Sequence, residues 1–263
     1  YWKKYIPESI GIEENKNMIE ICKKYDLNCI EEEAMKSLSN LQSNSFDIIT
    51  IFHLIEHLSN DQLFKILVES FRVLKEDGVL LLETPSIDNL IVSTNFFYLD
   101  PTHVNPINSE RLSFCLKKIG FNEVKSFYIN GGPLENTNHN KMTRIFNGVA
   151  QDLFVICTKS SNITKKIFSN ESYWSETLNL GVTTMQAAID FDLNVHQYNL
   201  NNNNLIKDQQ NRIKSLEEEV LVLNQKLKKL IFFLNFLRHL CSPLLKLIKY
   251  FKRLISKFFN SLF

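Results

Sequence analysis

Apolar and polar positions along the first 160 residues alternate between two periods. Short runs of strand character occur at SIGIEE (9–14), CIEE (29–32), FDIITIF (46–52), VLLLET (79–84), NEVKSFYI (122–129) and DLFVICTK (152–159). FDIITIF is the clearest, with Ile48, Ile49, Ile51 and Phe52 in a near-continuous apolar run that predicts a buried strand. Between the runs lie helical stretches: NKNMIEICKKYD (15–26), AMKSLSNL (34–41), QLFKILVESFRVLKE (62–76) and RLSFCLKKIG (111–120). Ser59, Asn60 and Asp61 offer N-caps for 62–76, and Gly78 offers its C-terminal stop. Ser109 with Glu110 opens the last helix and Gly120 closes it. Such alternation predicts an α/β domain over 1–160, a doubly wound, mostly parallel sheet with helices on both faces. Ligands of such sheets bind beyond the carboxyl ends of the strands. Tyr1–Tyr5 reads as the end of a helix, so the pattern predicts an N-terminally incomplete domain whose first strand is missing.

The period changes after residue 160. Residues 161–204 are mixed, with an aromatic stretch (ESYWSETL) and an asparagine run at Asn199 and Asn201–Asn204, and read as a helical and linker region. From Ile213 an alternating 3 and 4 spacing sets in through Leu216, Val220, Leu223, Leu227, Leu230, Leu234 and Leu237, which predicts a coiled coil over 205–242. A single long helix lying on the domain is the competing reading. Pro243 interrupts the seam. Beyond it Leu244, Ile248, Phe251, Ile255, Phe258 and Leu262 make one apolar stripe, with Lys246, Lys249, Arg253 and Lys257 opposite. A basic amphipathic helix at 243–263 suits the surface of an anionic bilayer, and a further oligomer contact is the alternative.

Charge sharpens this division. Residues 1–200 hold 18 basic and 25 acidic side chains, whereas 201–263 hold 12 and 4, and nothing acidic follows Glu219. An acidic body with a basic tail points to an anionic surface as partner. The five cysteines are scattered and never form C-x-x-C, which argues against a disulfide scaffold, a zinc ribbon or a dithiol redox pair and fits a reducing cytoplasm. Only seven glycines occur, none in a phosphate-cradling pattern.

Candidate chemistry gathers in two segments that follow predicted neighbouring strands: FHLIEHL (52–58) and ETPSIDNLIVSTNFFYLDPTHVNPI (83–107). His53, Glu56, His57, Tyr98, Asp100 and His103 are therefore expected to converge on one crevice. His53, Glu56 and His57 also reproduce the H-x-x-E-H spacing of a zinc peptidase. That reading needs the motif on a helix, whereas here it follows a strand, so no metal ligands are assigned.

Together GIEEN (11–15), EEEAM (31–35), FDIITIFHLIEHL (46–58), FRVLKEDGVLLLETP (71–85) and NFFYLDPTHVNP (95–106) resemble the class I S-adenosylmethionine-dependent methyltransferases, and most of all bacterial enzymes of cell-surface polysaccharide (O-antigen type) synthesis. The resemblance covers about residues 1–160 and implies a Rossmann-like fold and S-adenosylmethionine as cofactor. It places Glu13 on the ribose hydroxyls, Glu33 and Ala34 at the adenine, and Phe52 and His53 at the methionine end. Read blandly, Glu13 and the Glu31–Glu33 run are solvated surface acids. The family's glycine-rich loop is absent from the given chain.

The resemblance further implies methyl transfer to a hydroxyl or phosphate of a cell-surface glycan or its lipid- or nucleotide-linked precursor. For a hydroxyl, His57 and His103 are the candidate bases, with Tyr98 and Asp100 orienting the acceptor. For a phosphate, the same residues would bind the anion. Some methyltransferases resembling this one hold a divalent cation through Glu-x-x-Glu-His at the place of His53–His57. The expected partners are a lipid-linked saccharide, the anionic inner face of the cell membrane, and a second copy or a glycosyltransferase at the coiled coil. No nucleic acid is expected. The rival is a non-catalytic assembly protein built on a decayed methyltransferase fold.

Overall fold

The computed structural model describes residues 2–138, 141–169, 174 and 178–260, which form two units, Tyr1–Val195 and His196–Phe263. The first unit follows the alternation of the sequence. After α1 (Trp2–Tyr5) come β1 (Gly11–Glu13), α2 (Lys16–Lys24), β2 (Cys29–Glu31), α3 (Ala34–Asn40) and β3 (Phe46–Phe52). A 3-10 turn (Ile55–His57) leads into α4 (Asn60–Val73) and β4 (Leu74–Pro85). Then follow α5 (Leu90–Thr94), a second 3-10 turn (Phe96–Leu99), α6 (Ser109–Ile119), β5 (Glu123–Gly131), α7 (Met142–Asn147), β6 (Ala150–Thr158) and α8 (Ser161–Phe168). Local chemistry sets the helix starts. Asn15 accepts from the Asn17 N–H at 2.9 Å, and Asn108 accepts from Arg111 N–H at 2.9 Å. Ser59 and Gln62 form a reciprocal capping box.

The strands make two sheets rather than one. β1 and β2 pair in parallel, and a second sheet runs in the order β3-β4-β6-β5. β3, β4 and β5 run in one direction, and β6 alone is reversed, antiparallel to both its neighbours. The reason is local: the chain leaves β5 at Gly131 and re-enters at Ala150 directly opposite, so it can only run back. The sheet is therefore mixed, mostly of one direction as expected, with β6 as the reversed strand. β3 pairs with β4 along one edge, and no described strand pairs with the other. This leaves Ile48 and Phe52 about 40% exposed in a strand expected to be buried, while Ile51 remains in the core.

Both faces of β4 and β6 are covered, which explains their continuous apolar runs. Leu80, Leu82, Leu153, Val155 and Cys157 point to one face, against Leu38 of α3, Leu63, Ile66 and Leu67 of α4, and Leu112 and Leu116 of α6. Phe154 and Ile156 point to the other, where Phe127, Phe168, Trp174 and Leu178 pack. Burying each leucine contributes about 1.5–3 kcal/mol. The Trp174 indole N–H donates to the Ile167 carbonyl, and Leu180 bridges to Ile129. Residues beyond 160 thus complete the first unit, which extends past the expected boundary. Of the aromatic stretch 171–178, residues 171–173 and 175–177 lie outside the described residues.

Gly78 does not cap α4. The helix ends at Val73, and the β3–β4 register shifts between Phe46 and Ile48 to absorb residues 75–78. A Cβ on Gly78 would sit 2.8 Å from the Lys75 carbonyl oxygen, so glycine is needed there for space. Gly120 does serve as the stop of α6, at φ 128°.

A helix α9 (Thr184–Asn260) spans the asparagine run and Pro243 without a break, where a linker and an interruption were expected. The seam residues from Ile213 to Leu237 are exposed in the single chain, as are Ile248, Phe251 and Ile255. Leu262 and the side chains of Leu244 and Phe258 lie outside the described residues.

Candidate active site

The carboxyl end of β3 turns sharply. His53 adopts a left-handed backbone (φ 49°), a conformation uncommon for a side-chain-bearing residue, while its N–H still donates to the Glu83 carbonyl of β4. The turn buries Ile55 completely and drives the chain into the 3-10 turn that carries Glu56 and His57. The segment after β4 is fastened there. Val104 and Asn105 both donate their backbone N–H to the Glu56 carbonyl, each at 3.0 Å. Arg111 of α6 holds the Asn105 side chain at 2.9 Å. The two segments singled out in the sequence therefore meet, although their residues are separated by about as many positions as the strand-helix-strand unit between them.

Three of the four expected catalytic residues converge. The His57 Nδ1 lies 2.8 Å from the Thr102 hydroxyl, which lies 2.6 Å from an Asp100 carboxylate oxygen. The Thr102 hydroxyl and backbone N–H hold the Asp100 carboxyl below the usual carboxylate range. An ionised Asp100 can only accept, so the single hydroxyl proton of Thr102 points to it, and His57 Nδ1 must be the donor to Thr102. The His103 Nδ1 donates to the Phe97 carbonyl at 2.7 Å. In its neutral form each ring then carries its lone pair on Nε2. The rings meet edge to face with centroids 4.6 Å apart. Tyr98, expected beside them, is 64% exposed and packs on Phe97.

Glu56 sits behind the two histidines, fully buried. Its Oε2 accepts from the Thr84 hydroxyl at 3.0 Å, while Oε1 has no hydrogen bond. Burial alone would raise this carboxyl, but His53, the backbone and Thr84 outweigh it and hold the group below its usual range. His53 Nδ1 stands 3.3 Å from Glu56 Oε1, near enough for attraction though not aligned for a hydrogen bond, and its Nε2 is 3.5 Å from Glu83. Glu56 above all, against the opposing effect of burial, pushes the His53 imidazole up to about 9. Burial, with Asp152 nearby, raises Glu83. The described residues contain one other buried side-chain atom without a partner, Asn105 Nδ2. Glu56 Oε1, paired through the charge of His53 alone, and Asn105 Nδ2 thus flank the junction of the two segments.

The expected cofactor residues are less closely gathered. Glu13 ends β1, and its carboxylate accepts from the Asn15 N–H at 2.7 Å. Glu33 is the exposed residue preceding α3, without a capping bond, and Ala34 begins the helix half-buried. The neighbouring Glu32 accepts from the Ser37 hydroxyl at 2.9 Å. Phe52 lies at the end of β3 with its ring 6.3 Å from Phe154. Sequence reasoning missed Thr84 and Thr102, although both stand inside the quoted segments as polar β-branched residues beside carboxylates.

Residues 1–82 match the family model described as a methyltransferase domain. Among solved structures, the chain is similar to a SAM-dependent methyltransferase from Archaeoglobus fulgidus, with 27% identity over 60% of this chain and 79% of that one, and a TM-score of 0.53. It is also similar to a SAM-dependent methyltransferase from Thermotoga maritima described as a possible histamine N-methyltransferase. That match has 20% identity over 60% of this chain and 76% of the other, at a TM-score of 0.47. No curated protein matches the chain.

Proposed function

We infer that this chain is a methyltransferase with S-adenosylmethionine as its cofactor. The observation that carries the reading is the match to the Archaeoglobus fulgidus enzyme in both sequence and fold, joined to the methyltransferase-domain match over residues 1–82. Chemistry agrees with it. The crevice after β3 and β4 is rich in carboxylates, with Glu56, Glu83, Asp100 and Asp152 around it, and a negative field favours the cationic sulfonium of this cofactor. Phe52 and His53 would line its methionine end, and Glu13 and Glu33 its nucleoside.

The acceptor is a hydroxyl of a cell-surface glycan or of its lipid- or nucleotide-linked precursor. The ETP and FYLDPTHVNP segments support this, because their resemblance is narrow. So does a hollow of about 480 Å³ lined by Asp88, Ser109, Glu110, Tyr128, Thr183 and Thr184 among others. Two carboxylates and several hydroxyls, with no lysine or arginine, suit a polyhydroxyl acceptor better than a phosphate. In the reaction the acceptor oxygen bonds to the methyl carbon, and the pair of the breaking carbon–sulfur bond stays on sulfur. Alignment of these three atoms supplies much of the rate gain. The seam of α9 would pair with a second copy or a glycosyltransferase. The basic face of residues 246–257 would hold the enzyme at the inner face of the cell membrane, and no described helix is long and apolar enough to cross one.

The test is calorimetric titration of the full protein with S-adenosylhomocysteine, followed by transfer of labelled methyl from the cofactor to lipid-linked saccharide. Binding and label in the saccharide fraction are expected. Binding with label in a non-glycan fraction would overturn the acceptor class, and no binding would overturn the enzyme reading.

A further inference from the structure

We propose that Cys22 and Cys29 are a redox pair that closes to a disulfide between α2 and β2 and acts through α2 on Glu13. Their spacing in the sequence is too wide for C-x-x-C, and the fold brings them together. α2 ends in a Schellman turn. The Leu27 N–H donates to the Cys22 carbonyl at 2.8 Å and the Asp26 N–H to the Lys23 carbonyl at 3.0 Å, with Asp26 left-handed at φ 51°. This turn sends the chain straight back into β2, whose first residue is Cys29. Cys22 follows Ile19, the buried residue of α2, by three positions and so shares its inward face. Cys29 pairs with Gly11 of β1, and a Cβ on Gly11 would sit 3.1 Å from the Cys29 sulfur. The two thiols therefore adjoin. Burial above all, then the neighbouring Cys22 thiol and the Glu13 carboxylate, push the Cys29 thiol up to about 11.

Both side chains are half-buried, so a small solute reaches them, whereas Cys115 lies in α6 and Cys157 is buried in β6. The oxidant is a low-molecular-weight disulfide such as glutathione disulfide. Cys29 holds its proton more firmly than an ordinary thiol, so Cys22 attacks first, as the thiolate, and one glutathione leaves as its thiolate. Cys29 then gives its proton to water and attacks the Cys22 sulfur, and the second glutathione leaves. Two electrons pass from the pair to the oxidant, the two protons end on the glutathiones, and one disulfide bond replaces another. In a reducing compartment such a pair is transient, as redox-sensing disulfides are.

The bond is felt at the other end of the helix. α2 is one piece from Lys16 to Lys24, capped by Asn15, whose own N–H donates to the Glu13 carboxylate at 2.7 Å. Drawing Cys22 onto Cys29 shifts this helix and the carboxylate fastened to its start. Glu13 is assigned to the cofactor's nucleoside, so this consequence rests on the methyltransferase reading, while the pair itself does not.

The experiment equilibrates the full protein with glutathione buffers of stepped ratio and reads the pair by trypsin and mass spectrometry. Cleavage after Lys23 and Lys24 separates the two cysteines, so the disulfide joins peptides 17–23 and 25–36. That linked product is expected, with Cys115 and Cys157 left as thiols. Its equilibrium constant in the native protein should exceed that of the chain unfolded in urea by about tenfold or more, because the folded turn holds the thiols together. No linked product, or an equal constant in urea, overturns the pair. S-adenosylhomocysteine titrated calorimetrically into the oxidised and reduced forms should bind with affinities about fivefold or more apart, and at saturation it should shift the glutathione equilibrium by the same factor. In Cys22→Ser, a conservative change checked for folding by far-ultraviolet dichroism, the affinity should no longer depend on the glutathione ratio. Equal affinities in the two forms of the parent overturn the action on Glu13. No binding to either form refutes the methyltransferase reading, and the linked peptides still decide the pair.

Discussion

The hydrogen bond from Thr84 to Glu56 can be weighed before it is measured. Thr84→Val keeps the shape of the side chain and its suitability for a strand, and removes one hydroxyl. The position is 1% exposed in a central strand, so water cannot replace the lost donor. Because Glu56 is held ionised, the bond is charge-assisted, and such bonds contribute about 1.5–3 kcal/mol. The expected loss is therefore about 2 kcal/mol, or about 4–8 °C in Tm for a unit of this size. Urea unfolding in metal-free buffer, followed through the fluorescence of Trp174 between Phe127 and Phe168, reads the change. The decisive comparison is the same substitution made on Glu56→Gln, where the acceptor is neutral and the loss should shrink to about 1 kcal/mol or less. Equal losses in the two backgrounds would refute the claim that a buried charge lies at the centre of the site.

Other expectations follow from single features. Gly120→Ala should cost about 1–2 kcal/mol by urea midpoint, because φ is 128° and the new Cβ would meet the Phe71 ring at 3.0 Å; a neutral result would mean the turn readily changes conformation. Cys157 is fully buried and burial pushes its thiol far up, so its alkylation should track global unfolding; labelling of the native protein would place it nearer the surface. Leu223→Lys with Leu230→Lys should reduce the mass measured by light scattering, and an unaltered mass would remove the coiled-coil reading. Deleting residues 244–263 should release the protein from anionic liposomes, with unchanged sedimentation counting against the membrane reading.

How much of this was legible depended on the range of the interaction. Asn15 and the Ser59–Gln62 box act within three residues of themselves, so their sequences were enough. The six strands were legible as apolar runs, but direction was not, because a run buried on both faces, such as DLFVICT, reads alike either way. Its antiparallel course is set by the return from Gly131 to Ala150. Gly78 carried an ambiguous signal: it can end a helix or fit a crowded turn, and Leu74 pairing with Phe46 decides for the turn. The asparagine run misled for an energetic reason. Each asparagine costs about half a kcal/mol in a helix, enough to suggest a break locally, yet propagation between the flanking helical stretches carries it.

The site shows the same limit more sharply. Histidines and carboxylates after strands can be named from the sequence because the fold class fixes where loops gather. What each atom is free to do is decided by partners 28 and 45 positions away, Thr84 for Glu56 and Thr102 for His57. Threonine is common in strands and loops alike and carries no signal of its own. Yet these two hydroxyls determine the chemistry. Thr84 satisfies one oxygen of Glu56 and leaves the other to the His53 imidazole, and Thr102 takes the Nδ1 proton of His57. A reading that stops at His57 and His103 finds two candidate bases. Adding the threonines and the buried carboxylate fixes how each is held: both rings are anchored through Nδ1, and the carboxylate is shared between the Thr84 hydroxyl and the His53 imidazole.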